Sequence, residues 1–163
     1  MTEPFKIKSN LAGLCEVCRD ILTKIEISDI NVSPSLISLG VSIIDAFPEN
    51  YVADGFIERT AQWWPQILSR DEDFWATNCR SIFPEMPDDY ARDFVRILGH
   101  KDISVEDREN AWKILHGAVR CSIRHIHEMR CPRISGGKMS YKRQYMSNVD
   151  LSTTALEWGV HLK

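Results

Sequence analysis

Apolar residues recur at three- and four-residue steps along nearly the whole chain, and capping residues or prolines interrupt them at intervals of one helix length. That rhythm suits helices, whose buried stripe repeats about every 3.6 residues, and it leaves little room for strands. Only FKIK and IEISDI alternate with period two, and both are short. The pattern therefore predicts an all-α fold, a compact bundle of six or seven mostly antiparallel helices joined by short loops. At 163 residues the chain is one domain's worth, enough to bury about two-thirds of the surface its unfolded form exposes.

Reading along the chain, a first helix is expected from about Asn10 to Glu26, with Leu11, Leu14, Cys15, Cys18, Ile21 and Leu22 on its apolar face. Ser33 and Pro34 mark the next start, a capping hydroxyl followed by a proline at the first helical position. Leu36, Ile37, Leu39, Ile43 and Ile44 make this second helix apolar over much of its circumference, so it is expected at the centre. A third pattern runs from Tyr51 to Leu68, with a kink expected at Pro65. Asp71–Phe83 and Tyr90–Leu98 follow, the latter stopped by Gly99. Ser104 to Asp107 resembles a capping box with aspartate in place of glutamate, opening a long helix that Pro132 ends. A last short helix is expected over Leu151–His161, capped by Asp150.

No stretch approaches the 18 or so apolar residues of a membrane span, so no membrane partner is expected. The opening MTEPFKIKSN has neither the apolar run of a secretory signal nor a glycine at position 2 for myristoylation. Five unevenly spaced cysteines do not form the even framework of a secreted disulfide scaffold, which favours a reducing intracellular compartment. Charge is unevenly divided: residues 1–112 hold 11 basic and 20 acidic side chains, and residues 113–163 hold 9 basic and 3 acidic. Such a separation steers partners or joins neighbouring copies.

Three groups of residues carry candidate chemistry. The first is basic: Arg120, Arg124, Arg130, Arg133, Lys138, Lys142 and Arg143, interleaved with Tyr141 and Tyr145, with 130–148 as a flexible basic segment. Arginine and lysine neutralise phosphates and tyrosine stacks on unpaired bases, so this region suits a nucleic acid. The second is a soft-ligand set. Cys15 and Cys18 form CxxC, and Cys121 and His125 stand one helical turn apart, with His127 and Cys131 nearby. If the first and long helices are neighbours, Cys15, Cys18, Cys121 and His125 make a four-ligand zinc site. The competing reading is of ordinary core cysteines, since CxxC here follows no strand and lies inside a helix. The third is aromatic. Trp63 and Trp64 stand about 100° apart on a helix, so one core stripe does not readily bury both. With Trp75 and Arg70 they form a candidate partner surface, being residue types that dominate interface hot spots.

Other motifs fail on their context. GGKMS ends like a phosphate-binding loop, but the motif's first glycine falls on Pro132 and a helix, not a strand, precedes it. Asp71, Glu72, Asp73, Glu85, Asp88 and Asp89 lie at expected helix amino ends, where acidic side chains are favoured structurally. No nucleophile elbow accompanies the serines and histidines, and no cofactor is expected apart from the zinc alternative.

The passage WWPQILSRDEDFWATNCRSIFPEMP, with Trp63, Trp64, Arg70, Asp71, Glu72, Phe74, Trp75, Asn78 and Phe83, resembles a segment of small uncharacterised helical proteins of large DNA viruses. It covers about 25 of the 163 residues. The resemblance implies a viral origin and a role in a particle or at a host partner, with no named activity. The sequence as a whole favours a non-enzymatic helical protein that assembles with itself or another protein. A nucleic-acid-associated protein and a zinc-stabilised regulator are the alternatives.

Overall fold

The computed structural model describes residues 2–78, 82, 87–130 and 150–162, whose regular elements are helices with no strand among them. The helices are α1 (Glu3–Lys24), α2 (Pro34–Ala46), α3 (Glu49–Thr60), α4 (Trp64–Leu68), α5 (Asp73–Asn78), α6 (Asp88–Leu98), α7 (Val105–Arg130) and α8 (Leu151–Glu157), with a 3-10 turn at Ala61–Trp63. No helix is long and apolar enough to cross a membrane, among the described residues.

α1 starts at Glu3 rather than at Asn10. Thr2 is its cap, accepting the Phe5 N–H at 3.3 Å, and Pro4 occupies the first turn. FKIK is therefore helical, and Ile7 joins Leu11, Leu14, Cys15, Cys18 and Ile21 in one buried stripe. A four-residue alternation is too short to compete with a capped start that extends an existing stripe.

α7 lies antiparallel to α1. The Lys24 ammonium at the end of α1 meets the Asp107 carboxylate at 3.1 Å in the first turn of α7. Asn10 lies against Gly117, and Glu3 stands near the Cys121 thiol at the other end. Both helices bury a long face: Ala111, Trp112, Leu115, Ala118, Val119, Ile123 and Ile126 on α7 are all within the core. Ser104 caps α7 by accepting the Asp107 N–H at 3.0 Å, so half of the expected capping box forms. The other half does not, because the Asp107 side chain turns to Lys24 instead of back to the cap.

α2 forms where its cap and proline place it, but it is peripheral rather than central. Only Ile37 and Ile44 are buried. It packs antiparallel on α1, with Arg19 donating to Ser38 Oγ at 3.1 Å and Lys8 Nζ to the Phe47 carbonyl at 2.9 Å. Beyond α3, Pro65 sits in the first turn of α4 and restarts the helix after the 3-10 turn instead of kinking one continuous helix. α6 ends at Gly99, and α8 is capped by Asp150, which accepts Thr153 N–H at 3.3 Å. One apolar core connects α1 to α8. An aromatic cluster links α5 to α7: the Trp75 and Trp112 rings are 4.6 Å apart, with Phe74 beside both.

The loop between α1 and α2 is tied down by a buried carboxylate. Asp93 on α6 is fully buried and accepts the backbone N–H groups of Asn31 at 2.8 Å and Val32 at 3.1 Å. Arg96, one turn on, donates to the Asp29 carbonyl at 2.7 Å, where Asp29 holds a left-handed φ of 61°. Replacing Asp93 by alanine strands the buried Val32 N–H and removes the acceptor of the Asn31 N–H, so Asp93→Ala is expected to cost about 2 kcal/mol in denaturant unfolding. A loss below about 1 kcal/mol would show that water replaces the carboxylate without penalty.

Candidate functional site

The residues singled out from the sequence separate into three environments. Of the aromatic set, Trp64 and Trp75 lie in the core, 3% and 1% exposed, so neither offers a partner surface. Trp64 is buried because its indole N–H finds the Thr60 hydroxyl one turn back, at 3.1 Å, and that hydroxyl bonds the Phe56 carbonyl. Trp63 is half-buried against the core. Arg70 is exposed at a left-handed φ of 56° just past α4, and its guanidinium pairs with Glu109 of α7 at 2.6 Å. The expected aromatic surface is therefore not assembled.

The soft-ligand set is not assembled either. Cys15 and Cys18 belong to the buried stripe of α1. Burial, reinforced by Glu16, pushes the Cys15 thiol up to about 12. Cys121 is pushed up to about 11, first by burial and then by the negative charge of nearby Glu3. Thiols held protonated at neutral pH are poor metal ligands and poor nucleophiles. His125 is buried and turns its Nε2 toward Asp54 of α3, 3.5 Å away, rather than toward the cysteines. Among the described residues no three His, Cys, Asp or Glu side chains stand close enough to share a metal ion. Cys131 lies outside the described residues.

Of the basic set, Arg120 and Arg124 are half-buried on α7, one turn apart, and Arg130 closes that helix. Arg133, Lys138, Tyr141, Lys142, Arg143 and Tyr145, with most of the segment 130–148, lie outside the described residues. Arg120 and Arg124 line a cleft of about 250 Å³ between α7 and the first turns of α1, with Lys6, Ser9 and Asn10 across from them. A larger cleft, about 530 Å³, lies between the α3–α4 turn and α8. Trp64 and Trp158 form apolar wall there, while Glu58, Asp150 and Glu157 make its charged lining wholly acidic.

Two features were not anticipated. The first is the outer face of α2. Leu36, Leu39 and Ile43 are 38%, 56% and 50% exposed and fall within about 60° of one another around the helix axis. Tyr51, 46% exposed and in ring contact with Phe47, continues this surface past the end of α2. The sequence signal was present in the near-complete apolar circumference of α2, but it is equally the signature of a helix buried all round. The second is His116, which the hydrophobic periodicity of α7 passes over. Its Nε2 lies 2.7 Å from the Ile67 carbonyl, and its ring stands edge-on to Trp112 and Trp158.

No family model, no curated protein and no solved structure matches the chain.

Burial holds the pKa of His116 below the ordinary 6.5; the Ile67 carbonyl opposes this and nearby Arg70 and Arg120 reinforce it. The imidazole is thus neutral at pH 7, with its Nε2–H donated to Ile67. As pH falls, the unfolded chain binds this proton before the folded one does. The stabilisation is therefore complete above about pH 6.5 and is lost as pH drops through the folded value. His116→Gln keeps an N–H donor but cannot titrate, so its melting temperature should fall less between pH 7 and pH 5 than that of the wild type. An equal fall in both would remove His116 as a contributor.

Proposed function

We propose that this is a non-enzymatic assembly protein whose self-association surface is the outer face of α2, and that its occupant is a second copy of the chain. The observation that carries the reading is the exposed apolar stripe Leu36–Leu39–Ile43 on an ordered, well-capped helix. Other exposed apolar side chains, such as Tyr90, Val105 and Leu156, come singly from three different elements and need no partner. The α2 stripe and Tyr51 together expose roughly 300 Å² of apolar surface, the size at which a bare patch on a monomer is often functional.

Charge favours a copy of the same chain as the occupant. Residues 34–46 contain no lysine, arginine or glutamate and one acid, Asp45. Asp45 lies about 120° or more around the helix from the stripe. A two-fold pairing of α2 with itself thus brings apolar surface to apolar surface and sets no like charges against each other. Gly40 supports the same reading. It lies beside Leu36 and Ile43, and a Cβ there meets nothing within 4 Å. Alanine at such a site gains about 1 kcal/mol of helix propensity, whereas glycine leaves a notch that a leucine from an opposing helix fills.

Magnitude sets the strength. A stable dimer usually takes about 800 Å² from each partner, so a patch of this size makes a weak, concentration-dependent dimer. Sedimentation velocity is expected to show a mass of 18.8 kDa at low micromolar concentration, rising toward the dimer at high micromolar concentration. Leu39→Lys and Ile43→Lys, at exposed positions that leave the core intact, should each hold the protein as a monomer. A wild type that stays monomeric at the highest soluble concentration would overturn the reading. So would association undiminished in both lysine variants.

A further inference from the structure

The cleft between α1 and α7 is independent of the α2 surface and points to a different chemistry. Arg120 and Arg124 stand one turn apart on α7, both half-buried, and neither makes an ion pair or hydrogen bond with any described residue. Their guanidinium nitrogens reach solvent rather than a carboxylate, so two heads with five fixed donors each are open to an anion that enters the cleft. Across the cleft, Lys6 reaches only Glu3, at 3.4 Å, and keeps 42% of its side chain exposed. Counting Glu3, the local charge is two positive units, in a chain whose net charge is −3.

The remaining walls are also selective. Ser9 and Asn10 bring polar side chains into the cleft, Asn10 lying against Gly117 of α7. Phe5, 39% exposed, forms one edge. At about 250 Å³ the space lies below the roughly 300–1,000 Å³ of pockets that enclose a drug-sized ligand. It admits a phosphate group and part of one ring. Paired arginines match phosphate oxygens in a bidentate manner, and an exposed phenylalanine offers a face on which any base stacks.

We propose that this cleft binds one nucleotide unit, its phosphate held between Arg120 and Arg124 with Lys6 opposite, and its base against Phe5. The same chemistry is presented by a free mononucleotide and by a link in a single strand. The larger cleft beside α8 is unsuited to either, since its charged lining repels phosphate.

The test titrates the full chain at low salt with inorganic phosphate, adenosine monophosphate and a short oligothymidylate, following backbone amide shifts by NMR. Saturable shifts at Ser9, Asn10, Gly117 and Arg120 are expected, with the mononucleotide binding more tightly than phosphate. Arg120→Gln with Arg124→Gln should weaken both nucleotide ligands at least tenfold. Phe5→Ala should weaken them several-fold while leaving inorganic phosphate unchanged. A higher affinity per site for the oligothymidylate assigns the natural ligand as a strand, and equal affinity assigns it as a free nucleotide. Shifts confined to residues 131–149, or no saturable shifts in the wild type, would overturn the proposal. Equal affinity for phosphate and the mononucleotide would overturn the assignment of Phe5 and the base. Because the mapping uses the wild type, it decides the matter even if the double variant does not fold.

Discussion

The antiparallel pairing of α1 with α7 is the contact on which the other helices depend. It is fixed at one end by Lys24 and Asp107 and in the middle by the approach of Asn10 to Gly117, and Glu3 stands near Cys121 at the other end. The apolar stripes between these points exclude water along most of both helices. Surface ion pairs contribute little on their own, and Lys24 is more than half exposed. The pairing therefore rests on apolar burial, with the polar contacts setting register. α2 and α3 then pack on α1, and α4 and α8 on α7.

This arrangement explains why the two surfaces proposed for binding are left uncovered. A helix packed on one side of a two-helix core needs only one apolar face. α2 uses Ile37 and Ile44 for that face, and its other apolar side chains turn outward. The α1–α7 pair also opens at one end, where Phe5 and Lys6 meet Arg120 and Arg124. There the acidic and basic parts of the chain converge: Lys6 belongs to the acidic first 112 residues and the arginines to the basic remainder. Charge that looks segregated along the sequence is gathered locally into a cationic cleft, while Glu58, Asp150 and Glu157 gather into an acidic one.

Local signals in the sequence were reliable where one residue and its own turn decide the outcome. Ser33 with Pro34, Asp150 and Gly99 mark helix ends as their chemistry requires. Thr2 carried the same information, but Asn10 offered a second capping residue and the first helix was expected from there. Burial was harder to read, because a helix apolar on all sides looks the same whether it is central or half-bare; α2 is the half-bare case. Angular position did not say which of Trp63 and Trp64 the core takes; Trp64 is buried, with Thr60 satisfying its N–H. Asp93 was illegible, since its partners Asn31 and Val32 are about sixty positions away and on another element. The cysteines of α1 and the Cys121–His125 pair do lie on neighbouring helices, as a zinc site requires. Their side chains meet Glu3, Asp54 and core atoms instead of one another.

Native-state amide hydrogen exchange, read helix by helix at low and high protein concentration, tests the account most directly. Amides of α1 and α7 should exchange only through global unfolding, and at a rate independent of concentration, because their pairing is the last structure lost. Amides of α2 should exchange faster in dilute solution and slow as concentration rises and a second copy covers its outer face. Contradiction would take one of two forms: α2 as protected as α1 and α7 at every concentration, or α1 and α7 opening before the helices that pack on them.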